Sequence, residues 1–318
     1  MTDNVKLSDM ESNIAVSGKT RVCGLIGDPV EHTLSPLIHN SLAALMGIDL
    51  IYVPMRVESG SVESAVRGAY DLGMLGLNVT VPHKISVMDA ALYIQKNAAV
   101  IGAVNTLVRD REEKGYIGYN TDYLGLKRAL ADDGISLKDR NVVILGAGGA
   151  ARAAAFLCAF EHAGSVYILN RNADKAEALC RDVNLFSESE GIKGNEDDAL
   201  CKPLPLDAHS DVPGSDLTVI QASSVGLHPN TEDVIIDDER FYARISYGFD
   251  LIYNPAETRF MRMVAANGGR ASNGLKMLLY QAVCAFELWN DVKVPSDITD
   301  RVADILRAAS SPAPEDSR

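Results

Sequence analysis

The sequence contains no run of about 18 apolar residues, so no segment is built to cross the hydrocarbon of a bilayer as a helix. It has no excess of positive charge either. Thirty Lys and Arg stand against 43 Asp and Glu, a formal net charge of -13. Phosphate backbones are held by clustered cations, so nucleic acid is excluded as a bulk partner, while a local basic pocket for a small anion is not. Cysteine is sparse: Cys23, Cys158, Cys180, Cys201 and Cys284 are scattered, odd in number and without C-x-x-C spacing. That pattern is neither a disulfide framework nor a zinc site. Reduced thiols in a cytoplasmic protein are the simpler expectation. The His residues form no H-x-x-x-H pair, and no G-x-S-x-G elbow occurs, so neither a metal nor a serine nucleophile is expected. Residues 1–19 are polar with no apolar h-region, so no secretory leader is expected.

What is present is an ordinary globular composition, 47% apolar and 23% charged over 318 residues. That length can bury a large core and suggests about two domains. Apolar runs and helical spacings alternate. Residues 21–27, 50–57 and 76–81 read as strands, and 35–46 and 62–72 as helices. This βαβ rhythm argues for a mostly parallel sheet covered by helices. Ser35 before Pro36 reads as a helix N-cap with Pro at N1. Residues 121–134 are helical and join a second series, with strands at 142–145, 165–170, 217–222 and 247–253 and helices at 150–160, 175–183 and 275–290. Residues 187–215 are polar and contain Pro and Gly, which predicts an irregular excursion. The Pro- and Ser-rich stretch 308–318 has the composition of a disordered tail, and residues 1–20 that of a flexible leader.

The second series opens with strand, G-x-G-x-x-A, helix. Gly146 permits the tight turn, Gly148 lets backbone approach a pyrophosphate, and Ala151 keeps the helix close to the sheet. Gly146, Ala147, Gly148, Gly149 and Ala150 are therefore candidate dinucleotide contacts at a helix N-terminus. The next strand ends Leu169-Asn170-Arg171 with no acidic residue. An NAD site places Asp or Glu there to bond the ribose 2′-OH. Here Asn170 can bond the ribose, while Arg171 and Lys175 can meet a 2′-phosphate, which predicts NADP (NADPH) over NAD.

The first half carries short polar segments where strands or helices begin: Glu31-His-Thr-Leu-Ser-Pro36, Asn78-Val-Thr-Val-Pro-His-Lys84, Gly102-Ala-Val-Asn-Thr106 and Asn120-Thr-Asp122. Singly, each is a cap or turn. Lys84 alone reads as a surface Lys after a Pro turn, and Asp122 alone as a cap on a helix over 123–130. In this order ahead of the Gly loop, and with Gln221-Ala-Ser-Ser-Val-Gly-Leu227, Asp250-Leu-Ile-Tyr253 and Gly274-Leu-Lys-Met277 following, they resemble the shikimate dehydrogenase family over roughly residues 20–295.

The resemblance implies an α/β protein of two domains. Residues 20–121 with 278–310 would bind substrate, and 122–277 would form a Rossmann-type NADP-binding domain, with flexible termini at 1–19 and 311–318 and the C-terminal helix returning to the first domain. It implies reversible reduction of 3-dehydroshikimate to shikimate, with Lys84 as general acid–base and Asp122 as its partner. Shikimate contacts fall on Thr33, Ser35, Thr80, Asn105, Asp122, Tyr253 and Gln281, and Leu251 and Gly274 fall near the nicotinamide. The departures are Thr33 for a Ser, Asn273 for an Asp, Gln221-Ala-Ser223 for Asn-Ala-Thr, and Lys96 where an acid is common. Thr33 keeps the hydroxyl and adds a methyl, which bears on substrate choice. A quinate/shikimate dehydrogenase using NAD, or a non-catalytic nucleotide-binding relative, are the alternatives. A small-molecule partner, no membrane and no nucleic acid are expected, with a homodimer as the candidate assembly.

Overall fold

The computed structural model describes residues 16–195 and 199–310. Of the expected flexible termini at 1–19 and 311–318, residues 1–15 and 311–318 lie outside the described residues, as do 196–198. The chain divides into two compact units, one reaching Leu124 and resuming at Leu279, the other Gly125–Leu278. Among the described residues no helix is long and apolar enough to cross a membrane.

In the first unit, β1 (Arg21–Gly27), β2 (Leu50–Arg56), β3 (Gly76–Val79), β4 (Tyr93–Ile94), β5 (Thr106–Arg109) and β6 (Tyr116–Tyr119) form one sheet in the order β2-β1-β3-β5-β6-β4. β1 is parallel to β2 and β3, and β4 to β6, while β5 is antiparallel to both neighbours. The parallel pairings come from the βαβ rhythm. The β5–β6 hairpin needs no crossover helix, because its turn is closed locally: Asp110 N–H donates to Gly115 O at 3.0 Å, and Asp110 Oδ1 accepts from Glu112 N–H at 2.9 Å. Leu77, Val79, Val104 and Leu107 are buried among Val62, Val66 and Tyr116 to make the core. Trp289, from the Leu275–Asn290 helix, donates Nε1–H to Leu107 O at 2.9 Å. Only glycine fits beneath it, since a Cβ on Gly76 would lie 2.0 Å from Trp289 Nε1.

In the second unit, β7 (Asn141–Leu145), β8 (Ser165–Leu169), β9 (Cys201–Leu204), β10 (Leu217–Gln221), β11 (Ile245–Asp250) and β12 (Arg270–Ser272) are all parallel, in the order β12-β11-β10-β7-β8-β9. The order reverses between β7 and β10, the crevice at which such sheets bind ligands. β8 and β10 are buried along their whole length, as strands covered on both faces must be. The Gly149–Phe160 helix buries Ala151, Ala153, Ala154 and Ala155. Their small side chains let it lie close to the sheet.

Three expectations need correction. Residues 187–215 are not one irregular excursion: the Ala173–Ser189 helix reaches into them, and β9 pairs along β8. The tail expected from 308 is helical to Ser310, in the Ser296–Ser310 helix. Residues 17–20 of the expected leader form a turn, with Thr20 N–H donating to Ser17 O at 3.2 Å.

Candidate active site

Thr80, Lys84, Asn105 and Asp122 of the first unit stand near where β3 and β6 end and the antiparallel β5 begins. After Val79 the chain turns, with Thr80 N–H donating to Ile26 O and His83 N–H to Thr80 O, both at 2.9 Å. The buried His83 ring donates Nε2–H to Val57 O at 2.6 Å. His83 is thus a tether that holds the turn. Lys84 follows it, and Lys84 O accepts from Val104 N–H at 2.8 Å, which places Lys84 beside Asn105.

Lys84 Nζ donates to Asp122 Oδ2 at 2.6 Å, and Asn105 Nδ2 donates to Asp122 Oδ1 at 2.9 Å. The ion pair is partly sheltered, with the two side chains 29% and 18% exposed. Its field is therefore less screened than that of a surface pair. Asp122 opens the Asp122–Asp132 helix, but it does not cap it. Asn120 Oδ1 does, accepting from Asp122 N–H at 3.1 Å and Tyr123 N–H at 3.3 Å. Both oxygens of Asp122 are thereby left to Lys84 and Asn105.

Behind this pair lies a buried polar network that the sequence reading did not assign. Asn105 Oδ1 accepts from Thr121 N–H at 2.6 Å and from the Thr106 hydroxyl at 3.0 Å. Asn78 Nδ2 donates to Thr106 Oγ1 at 3.0 Å, and Asn78 Oδ1 accepts from the Tyr52 hydroxyl at 2.8 Å. His39 Nε2 lies 3.1 Å from Asn78 Oδ1, with its ring stacked on Tyr52 at 4.2 Å. Burial holds His39 down at about 3, so it stays neutral and donates Nε2–H. The sequence signal was available in the polar Asn78 and Thr106 inside otherwise apolar strands.

Ser35 is the first residue of its helix and not the N-cap, which falls on Leu34 without any side-chain bond. Instead Thr33 Oγ1 accepts from Ser35 N–H at 3.2 Å and donates to Ser35 Oγ at 3.1 Å. Thr33 and Ser35 are thus brought together as one hydroxyl pair. The Thr80 methyl sits over Gly27, where a Cβ would come within 2.3 Å of it. Gln281 is a partly buried residue of the Leu275–Asn290 helix in this unit, whereas Tyr253 belongs to the other unit, where burial raises its phenol.

In the second unit the turn after β7 is shaped as the glycine spacing requires. Gly146 adopts φ +119, and its N–H donates to Leu169 O at 2.8 Å. A Cβ there would meet Ala222 O at 3.0 Å, whereas nothing lies within 4 Å of a Cβ on Gly148 or Gly149. The loop is therefore closed toward β10 and open on the outer side of Gly148 and Gly149, at a helix start with no side-chain cap. That is the cradle a pyrophosphate needs. Asn170 Nδ2 donates to Asn172 O at 2.9 Å, and Asn172 caps the Ala173–Ser189 helix by accepting from Lys175 N–H at 2.9 Å. Arg171 and Lys175 are exposed beside that cap, and no carboxylate ends β8. The residues present fit a dinucleotide bearing a 2′-phosphate.

Leu251 and Gly274 are also brought together. Leu251 N–H donates to Gln221 O at 2.9 Å, and a Cβ on Gly274 would lie 2.1 Å from Leu251 O. Asn273 accepts from Leu275 N–H at 3.1 Å and donates to Ala256 O at 2.8 Å, so this departure serves as a helix start. Among the described residues no group of three or more His, Cys, Asp and Glu could hold a metal ion.

Family profiles match three stretches of the chain. Residues 25–107 match the shikimate dehydrogenase substrate binding domain, 129–191 shikimate / quinate 5-dehydrogenase, and 274–303 the shikimate 5'-dehydrogenase C-terminal domain. A shikimate dehydrogenase (NADP(+)) of Desulforamulus reducens is 38% identical over 288 residues, covering 90% of this chain and 96% of its own. The chain belongs to the shikimate dehydrogenase family. Among solved structures, a shikimate dehydrogenase in complex with NADP+ superposes with a TM-score of 0.81 at 36% identity, covering 92% of this chain and 97% of its own. A shikimate 5-dehydrogenase from Listeria monocytogenes in complex with shikimate and NAD also gives 0.81, at 27% identity over 92% of this chain and 98% of its own. Shikimate dehydrogenase structures thus include complexes with either nucleotide, and the groups that follow β8 become the point of distinction.

Proposed function

We propose that the chain is an NADP-dependent shikimate dehydrogenase that interconverts 3-dehydroshikimate and shikimate, with Lys84 as the general acid–base. The observation that carries this reading is Lys84 Nζ at 2.6 Å from Asp122 Oδ2, with Asn105 on the other oxygen. NADPH, when bound, supplies the hydride to the carbonyl carbon. The chain's own groups manage the oxygen. The Lys84 ammonium donates its proton as the carbonyl becomes an alkoxide, and the neutral amine takes a proton back in the reverse direction. Asp122 holds the ammonium in place through the 2.6 Å contact. Asn105 fixes the plane of the Asp122 carboxylate, and Thr121 and Thr106 fix Asn105.

Thr33, Ser35, Thr80, Tyr253 and Gln281 are proposed to bind the substrate's carboxylate and hydroxyls. The domain roles follow: the first unit handles substrate, and Gly125–Leu278 handles nucleotide. Gly146, Ala147, Gly148, Gly149 and Ala150 would take the pyrophosphate, and Asn170, Arg171 and Lys175 the 2′-phosphorylated ribose. Support for NADP comes from the exposed Arg171 and Lys175 and the uncharged end of β8. Steady-state assay of the purified protein with shikimate and NADP+ tests the reading, and absence of turnover would sink it.

A further inference from the structure

We infer that Gln221 and Asp250 form a positioning pair that fixes the 222–225 loop against the Gly146 turn and thereby sets affinity at the nucleotide site. The inference rests on the dinucleotide reading above.

Gln221 ends β10 and Asp250 ends β11, and the two are register partners across the parallel ladder. Both are buried, 2% and 0% exposed. The Gln221 amide folds back into its own loop. Its Oε1 accepts from Ser223 N–H at 2.7 Å, and its Nε2 donates to Val225 O at 3.0 Å and reaches Asp250 Oδ1 at 3.4 Å. Asp250 Oδ1 also accepts from Ile252 N–H at 3.0 Å, and Oδ2 accepts from the Thr258 hydroxyl at 2.6 Å. Thr258 in turn caps the Arg259–Ala266 helix.

Every group bonded to Asp250 is a donor, which suits an ionised carboxylate. Among the described residues its hydrogen-bond partners are Gln221, Ile252 and Thr258, none of them cationic. Burial raises the Tyr242 phenol of the Glu239–Tyr242 helix, and the charges of Asp237 and Asp250 raise it further. Burial accordingly pushes Asp250 up to about 6. An uncompensated buried carboxylate is costly. Here it ties together the loop after β10, the backbone after β11 and the next helix.

The link to the nucleotide turn is short. Ala222 N–H donates to Leu145 O at 2.9 Å, and Ala222 O is the nearest atom to a Cβ on Gly146. A shift of residues 222–225 therefore presses on the turn that shapes the phosphate cradle. Gln221 also holds Leu251 through its backbone carbonyl at 2.9 Å.

The test is the dissociation constant of NADPH, read from fluorescence of the bound dihydronicotinamide with no substrate present, from pH 5.5 to 8.5. Gln221→Met keeps length and volume but removes the amide. It is expected to weaken NADPH about tenfold at every pH, the scale of one lost hydrogen bond. Gln221→Glu places a second carboxylate against the first, and two such groups in a dry site share a proton. Its affinity is expected to approach wild type at the acid end and to weaken as pH rises, a trend that loss of packing would not produce. Folding of each variant is checked by thermal melting, and either variant alone suffices. Binding within twofold of wild type at all pH overturns the pair's role. A wild-type protein that binds no NADPH would instead sink the nucleotide reading, and this inference with it.

Discussion

Lys84 Nζ and Asp122 Oδ2 lie 2.6 Å apart although 38 residues separate them in the chain. The contact exists because Lys84 O is pinned by Val104 N–H and Asp122 by the Asn120 cap. Lys84→Ala is expected to lower kcat by about 10²-fold or more, on the scale of a lost proton donor, with a smaller change in KM. Asp122→Asn keeps the shape but removes the charge that anchors the ammonium, so kcat should again fall more than KM. Steady-state kinetics on both variants check this, and near-normal turnover in Lys84→Ala would remove it from the chemistry.

Arg171 stands exposed after β8 with no acidic residue at the strand end. Arg171→Ala should weaken NADP by about tenfold or more, one charge-assisted contact, and leave NAD nearly unchanged. Titration with both nucleotides reads the ratio. Equal losses would refute a 2′-phosphate contact.

Two glycines should respond in opposite ways. A Cβ on Gly274 would sit 2.1 Å from the Leu251 backbone oxygen. No flexible side chain can yield there, so Gly274→Ala should cost about 1–3 kcal/mol of stability. Gly148→Ala meets nothing within 4 Å. It should leave the melting temperature unchanged but impair NADPH binding, because the methyl stands where a phosphate approaches. Thermal melting with and without nucleotide separates the two.

The buried groups His39 and Asp250 make the stability depend on pH with opposite signs. His39 is held at about 3, below its ordinary 6.5. Between those values the unfolded chain binds a proton that the fold refuses, so stability from this group is lost as pH falls, by about 1.4 kcal/mol per pH unit. Asp250 is pushed from 3.8 to about 6. In that window the fold binds the extra proton, so this group's contribution is lost as pH rises. His39→Phe should therefore lose less stability than wild type between pH 6.5 and 4.5, and Asp250→Asn should lose more. Urea unfolding across that range measures both, and unchanged slopes would contradict the assignment.

The Gly146 turn and the bare end of β8 were legible because each is a local pattern, a few residues with one physical reason apiece. The Lys84–Asp122 pair was not legible from local chemistry, since a Lys after Pro and an Asp at a helix start are ordinary surface features. The family resemblance supplied it. β9 was hidden because it is an edge strand: among the described residues it pairs only with β8, so it tolerates Pro203 and buries little beyond Cys201. The Ser35 cap was misread because the hydroxyl of Thr33, two residues earlier, takes the Ser35 N–H. Asp250 stood inside a recognised segment, yet nothing in the sequence places Gln221 and Thr258 around it.

The proposed function makes Thr33 bear on which alcohol the protein uses and Arg171 on which nucleotide, and a single set of initial rates reads both. With purified protein, shikimate and quinate are each assayed against NADP+ and NAD+. The predicted result is the highest kcat/KM for shikimate with NADP+, by about tenfold or more over each other combination. Preference for quinate with NAD+, or no turnover of shikimate with either nucleotide, would contradict it.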